Sequence, residues 1–330
     1  MKMVVGDIGG THARFAFAEL VQGERPRIGP MKRYRTRDHP GLGSAWEKFA
    51  REASEPLPRA AALAIAAPIE GELLRFMNSD WRIPRHGLAA ELGLDRLTLL
   101  NDFGAVAHAV SVMQSRELEP IIGPPGLPAE GVTSVIGPGT GLGVSILSRR
   151  PSKGSGQAQA VTVIETEAAH IAFAPLDPEE EALADSLVAR YGRASVERVV
   201  SGPGLVDIYR HLGGGGDWDL SRPGDLWNAA IDGSDAVAAH ALDILVRCFG
   251  AAAGDISLAH GAMGVAITGA LANRIALLLR SPAFASRFTA KGRYQERMHR
   301  VAVMLCTFSE PGLLGAAVAF EREHLPAPAP

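Results

Sequence analysis

At 330 residues, with 47% hydrophobic and 21% charged side chains, the chain exceeds what one core usually organises and leaves little room for long disorder, so two domains are expected. A net charge of −3 supplies no basic surplus for nucleic acid, and two cysteines, Cys248 and Cys306, make neither a metal spacing nor a disulfide framework. Asp7 interrupts the early apolar run, so no signal peptide is read there, and no uninterrupted apolar run is long enough for a membrane span. The expectation is a cytoplasmic protein in a reducing compartment, with no membrane and no nucleic-acid partner.

The chain opens with a strand over Lys2–Val5, breaks at Gly6-Asp7-Ile8-Gly9-Gly10-Thr11, and resumes with Phe15, Phe17 and Leu20. Strand, glycine turn, strand is a β-hairpin and not the strand-to-helix turn of a P-loop or dinucleotide fingerprint. Glycines let backbone N–H groups approach a phosphate, Thr11 adds a hydroxyl, and Asp7 suits hydrated Mg²⁺. The competing reading is an ordinary glycine-rich turn.

Further along, Lys32–Thr36 reads as a third strand, and Gly43–Ala53 as a helix with Trp46, Phe49 and Ala50 on one face. Arg59–Ala67 is a buried strand ended by Pro68, Gly71–Met77 a surface hairpin, and His86–Leu92 a short helix. The strand Leu97–Leu100 stops at Asn101-Asp102, and Phe103–Met113 resumes with helical spacing. Open α/β folds place ligands at such carboxyl ends of strands. Asp102 is there either the acid that takes a hydroxyl proton during phosphoryl transfer or the cap of the following helix.

After a Gly/Pro loop over 123–131 the opening pattern returns. Val132–Ile136 is a strand, Gly137-Pro138-Gly139-Thr140-Gly141-Leu142-Gly143 a glycine turn, and Val144–Leu147 a strand, so an internal repeat is suspected. A polar loop, Arg149–Ala160, leads to the strand Val161–Ile164, which delivers Glu167 and His170. These two suit sugar hydroxyls; a Glu-x-x-His pair is also a metal half-site, which is the minor reading here. Helices are read over Pro178–Tyr191, Leu205–His211 and Ser234–Ala253, the last capped by Ser234. The strands Val265–Thr268 and Arg300–Thr307, the helix Gly312–Arg322 and a frayed Pro-Ala tail complete the chain. Asn78 and Glu197 are further candidates; read alone, each is more often a turn former or a surface charge.

Seven segments together carry a specific resemblance: GDIGGTHAR (6–14), LLNDFGAVAHA (99–109), IGPGTGLGVSIL (136–147), ETEAAHIAFAP (165–175), ERVVSGPGLVDIYR (197–210), ITGALANR (267–274) and EPGLLGAA (310–317). In content and order this set resembles the bacterial hexokinase-like glucokinases of the actin/hexokinase/Hsp70 ATPase superfamily. The resemblance implies an α/β, two-domain actin-like ATPase (ribonuclease H-like) fold with an interdomain cleft. Residues 1–112 plus 312–330 would form the small domain and 113–311 the large one. It implies ATP-dependent phosphorylation of glucose at its 6-hydroxyl, with Mg²⁺, in a homodimer.

Carried over by position, Gly6, Asp7, Ile8, Gly9, Gly10 and Thr11 would hold ATP, with Asp7 on Mg²⁺ through water. Gly137, Gly139, Thr140, Gly141 and Gly269 would complete the nucleotide site. Asp102 would be the base, and Asn78, Asn101, Asp102, Glu167, His170 and Glu197 would bind the sugar. Three departures are visible: Ala168 and Ala169 stand where the family usually has glycines, Ala270 likewise, and His12 where it often has Asn. The Cys-rich zinc motif of the related repressor and sugar-kinase branch is absent. The alternatives are a kinase for fructose or mannose, or a sugar-binding regulator without catalysis, which the alanine changes motivate.

Overall fold

The structure, a computed structural model, describes residues 1–76, 79–151, 160–215, 218–219 and 224–325. It comprises two compact units, Met1–Met113 with Pro151–Glu165 and Glu310–Pro330, and Gln114–Arg150 with Thr166–Ser309.

In the first unit β1 (Lys2–Ile8) and β2 (His12–Glu19) form an antiparallel hairpin, with Asp7 opposite Arg14. Two short strands, β3 (Arg27–Ile28) and β4 (Lys32–Arg35), pair with β2. On its other side β1 pairs in parallel with β5 (Ala60–Ile65). A separate ribbon joins β6 (Leu73–Arg75) to β7 (Arg82–Pro84), and β8 (Arg96–Asn101) pairs in parallel with β5. β5 is apolar throughout because both its faces are covered. Ala61, Leu63 and Ile65 pack with Trp46 and Phe49 on one side. The other side presents only Ala60, Ala62 and Ala64, to Ala105, Leu313, Ala316 and Phe320. Small side chains there let the helices Asp102–Val110 and Pro311–His324 approach closely, and Gly315 packs against the backbone of Ala105.

In the second unit β9 (Leu118–Ile122) lies at a sheet edge, and β10 (Gly131–Pro138) and β11 (Leu142–Arg150) form a second antiparallel hairpin. The next strand, β12 (Ala160–Thr166), enters this unit at its last residue. β10 pairs in parallel with β13 (Gly264–Ile267), which pairs in parallel with β14 (Ala302–Cys306). The orders β2-β1-β5-β8 and β11-β10-β13-β14 therefore share one plan, an antiparallel hairpin followed by two parallel strands. That is the suspected repeat in structural form.

The core of the second unit is built on the helix Ala236–Ala259. It is long and apolar enough to cross a membrane, but 67% of its most apolar stretch is buried within the protein. Gly250 and Gly254 let the backbone of Phe284 and Phe288 approach it. Both cysteines are free and buried, and burial pushes the Cys306 thiol up to about 12.

Several local expectations change. The helix Leu42–Glu52 buries Leu42, Ala45, Trp46 and Phe49, while Ala50 is exposed. The cap of the long helix is Asp235, whose carboxylate accepts from Val237 and Ala238, rather than Ser234. The short helix read over His86–Leu92 contracts to Leu88–Glu91. β9 and the helices Gly224–Asp232 and Pro282–Thr289 have no counterpart in the sequence reading. Asn78, most of the polar loop after Arg150 and the Pro-Ala tail lie outside the described residues.

Candidate active site

The first group of residues lies on the β1–β2 turn. Gly9 N donates to the His12 carbonyl at 2.9 Å, which closes the turn. The carbonyls of Gly10 and Thr11 accept from the Thr36 hydroxyl and the Thr36 N–H, so the residue that follows β4 fastens the loop. Among the described residues the amides of Gly10 and Thr11 donate no hydrogen bond. Such amides suit an anion. Gly6 is required on packing grounds, since a Cβ there would press into Leu63 and Phe15.

Asp7 Oδ2 accepts from Arg14 Nη1 at 2.6 Å, and Gly312 packs against the same carboxylate. With one oxygen engaged by Arg14, the donor set fits a hydrated Mg²⁺ held from one side. Arg14 was not singled out by its sequence context, although antiparallel register alone places it opposite Asp7. Burial, followed by the charges of Arg33, Arg14 and Arg35, holds the His12 imidazole below its usual range. At neutral pH it is an uncharged polar side chain, as asparagine would be.

The second group stands where β8 meets the helix Asp102–Val110. Asn101 is the cap: its Oδ1 accepts from Phe103 N at 2.8 Å and Gly104 N at 3.3 Å. Its Nδ2 donates to the Ala67 carbonyl at 3.3 Å, and its own N–H donates to Glu165 Oε1 at 2.9 Å. Asp102 is the first helical residue, and its Oδ1 accepts from Phe103 N at 2.9 Å. Capping therefore falls to Asn101, with the Asp102 carboxylate beside it also accepting from Phe103 N.

The third group is in the second unit. At the β10–β11 turn Gly139 N donates to the Gly141 carbonyl, and Gly202 N to the Gly139 carbonyl, each at 2.7 Å. Gly202 opens the helix Gly202–His211, whose Ser201 cap accepts from Gly204 N. Glu197 Oε2 accepts from Leu142 N at 2.9 Å and occupies the space that a side chain at Gly141 would need. Thr140 is exposed at the tip, and Gly137 pairs with Gly143. Gly269 follows β13 with φ 102° and ψ 160°, a conformation natural only to glycine. Its carbonyl accepts from Asn273 Nδ2, which also donates to the Cys306 carbonyl.

Glu167 and His170 flank a single 3-10 turn, with His170 N donating to the Glu167 carbonyl and the side chains 3.7 Å apart, both open to solvent. Phe173 N bonds the Ala194 carbonyl, and Val196 N the Ile171 carbonyl, so this segment lies beside the one that delivers Glu197. Among the described residues no non-glycine residue has positive φ, so Ala168, Ala169 and Ala270 sit without backbone strain. Among the described residues, too, no three His, Cys, Asp or Glu side chains cluster as metal ligands.

These carboxylates, cap and glycine turns occur in a chain with close relatives. A family model for glucokinase matches residues 4–323. The glucokinase of Zymomonas mobilis is 44% identical over 327 residues, covering 98% of this chain and 99% of that one. A Stenotrophomonas maltophilia glucokinase is 37% identical over 322 residues, covering 96% and 93%. Among solved structures, glucokinase from an Antarctic psychrotroph superposes with a TM-score of 0.81 at 27% identity, covering 97% and 99%. The fold is accordingly the two-domain actin-like ATPase fold of the sugar kinases. The chain belongs to the glucokinase family.

Proposed function

We propose that the glucokinase activity of this chain transfers the terminal phosphoryl group of ATP to the 6-hydroxyl of glucose, with Asp102 as the general base. The Asp102 carboxylate accepts the hydroxyl proton as the sugar oxygen bonds to the γ-phosphorus, and the bond from that phosphorus to the β,γ-bridging oxygen breaks, releasing ADP. The observation that carries this reading is the division of labour at the end of β8. Asn101 caps the helix N-terminus, accepting from Phe103 N and Gly104 N, and the neighbouring carboxylate is held by its bond from Phe103 N.

Asn78, Asn101, Glu167, His170 and Glu197 are assigned to the sugar hydroxyls. Among the described residues only one N–H of the Asn101 amide is engaged, with Ala67, which leaves the other to donate to a sugar hydroxyl. Gly6, Asp7, Ile8, Gly9, Gly10 and Thr11 are assigned to the nucleotide, together with Gly137, Gly139, Thr140, Gly141 and Gly269. The unbonded amides of Gly10 and Thr11 support the first of these assignments. Mg²⁺, held through water by Asp7, would neutralise charge on the phosphates. A homodimer in the cytoplasm completes the reading and rests on the family resemblance.

The test is ADP release with ATP and Mg²⁺ against glucose, mannose, fructose, galactose and N-acetylglucosamine. Turnover greatest on glucose supports the assignment, and preference for another hexose moves the error to the sugar-binding residues. The alternative of a sensor without catalysis is motivated by the alanine substitutions; among the described residues no non-glycine residue has positive φ, so backbone strain at Ala168 and Ala169 does not support it.

A further inference from the structure

We infer that Glu165 is a positioning residue for Asn101 and Asp102: from a remote strand it completes the cap of the helix on which Asp102 stands. The inference rests on the assignment of those two residues to the reaction.

A helix begins with backbone N–H groups that lack partners within the helix. In the capping box the side chain of the cap residue bonds the N–H of the third helical residue, and a Glu or Gln at that third position bonds the N–H of the cap in return. Here Asn101 performs the first half, accepting from Phe103 N and Gly104 N. The third helical residue is Gly104, which has no side chain to return the bond. Glu165 returns it instead: its Oε1 accepts from Asn101 N at 2.9 Å, across 64 residues of sequence.

The two features require each other. A Cβ on Gly104 would overlap Oε1, the carboxyl carbon and Cγ of Glu165, so the carboxylate sits where a local capping side chain would have begun. Glycine in a helix is unfavourable by its own propensity, and at Gly104 the space it leaves is filled by Glu165. Glu165 has the bond from Asn101 among its interactions, and it is the last residue of the segment Pro151–Glu165 that belongs to the first unit.

The consequence is mechanical. Asn101 is fixed at its side-chain oxygen, its side-chain nitrogen and its backbone nitrogen, and Glu165 supplies the last of these. Without it the end of β8 gains freedom at the residue next to the base, and a displacement of about 1 Å at a reacting group costs on the order of 100-fold in rate.

The experiment compares Glu165→Ala, Glu165→Gln and Gly104→Ala with the wild type. Each is measured for kcat, for KM on glucose and ATP, for Tm, and for amide hydrogen exchange at Asn101. Glu165→Ala is expected to lower kcat by roughly 10-fold to 100-fold with KM for ATP unchanged, and to expose the Asn101 amide to exchange. Glu165→Gln keeps an acceptor oxygen and should stay within about threefold of wild type. Gly104→Ala should evict the carboxylate and reproduce the loss in kcat, while alanine's better helix propensity supports Tm. A role in stability alone would move Tm in Glu165→Ala and leave kcat in place, which overturns the inference. So would a glutamine variant as impaired as the alanine one, or an Asn101 amide equally protected in all proteins. If the wild type turns over no sugar, the failure lies with the proposed reaction, and exchange at Asn101 still decides whether Glu165 caps this turn.

Discussion

The backbone N–H of Leu142 donates to Oε2 of Glu197 at 2.9 Å, so a carboxylate assigned to the sugar also fastens the glycine turn assigned to the nucleotide. Removing it leaves that amide without its charged acceptor, a loss of about 1.5–3 kcal/mol for hydrogen bonds of this kind. Glu197→Ala should therefore raise KM for ATP roughly tenfold in addition to KM for glucose. Steady-state kinetics with each substrate varied in turn decide the point: a change confined to glucose means that the turn stands without Glu197.

Asp102→Asn keeps the shape of the side chain and the acceptor for Phe103 N, but removes the basic oxygen. The expected result is a native far-UV spectrum and a Tm near wild type, with kcat lower by roughly 10²–10⁴. Turnover near the wild-type value would remove Asp102 from the role of base.

Gly315→Ala tests the packing beneath the site. A Cβ at that position would coincide with the carbonyl oxygen of Ala105, which is backbone and cannot rotate away. The helices Pro311–His324 and Asp102–Val110 must then separate, and overpacking of this kind costs about 1–3 kcal/mol or more. Denaturant unfolding should show a lower midpoint, and an unchanged midpoint would mean that the two helices separate without strain.

His108 supplies a pH dependence. Burial, with a smaller effect from the Arg322 guanidinium bonded to its Nδ1, lowers its pKa from 6.5 to about 4. Between those values the unfolded chain takes up a proton that the folded chain refuses, so stability is full above pH 6.5 and declines as pH falls towards 4. The shift corresponds to about 3 kcal/mol across the window. His108→Gln should flatten this part of the stability curve in urea titrations. An identical slope in wild type and variant would exclude the histidine as its source.

Much of the architecture was legible in order along the chain. Glycine turns between apolar strands identified both hairpins, because a hairpin is local and its turn chemistry is written in adjacent residues. The unbroken apolar run at Ala60–Ile65 marked a strand covered on both faces for the same reason. Asn101-Asp102 announced a helix start, but which of the two would cap it was open until the bonds to Phe103 and Gly104 were seen. β9 escaped notice because its five residues are LEPII, with a proline that only an edge strand tolerates. Ser234 and Asp235 are both good caps, and backbone geometry chose the second.

The sequence by itself determined both glycine-turn hairpins, the repeat and the family. Each depends on residues close in the chain, or on the order in which motifs appear. Tertiary structure alone decided that Glu197 holds the turn at Gly141 and that Glu165 stands in for the side chain Gly104 lacks. Those pairings rest on the direction and reach of side chains brought together by packing, over separations of up to 64 residues, where no local propensity acts.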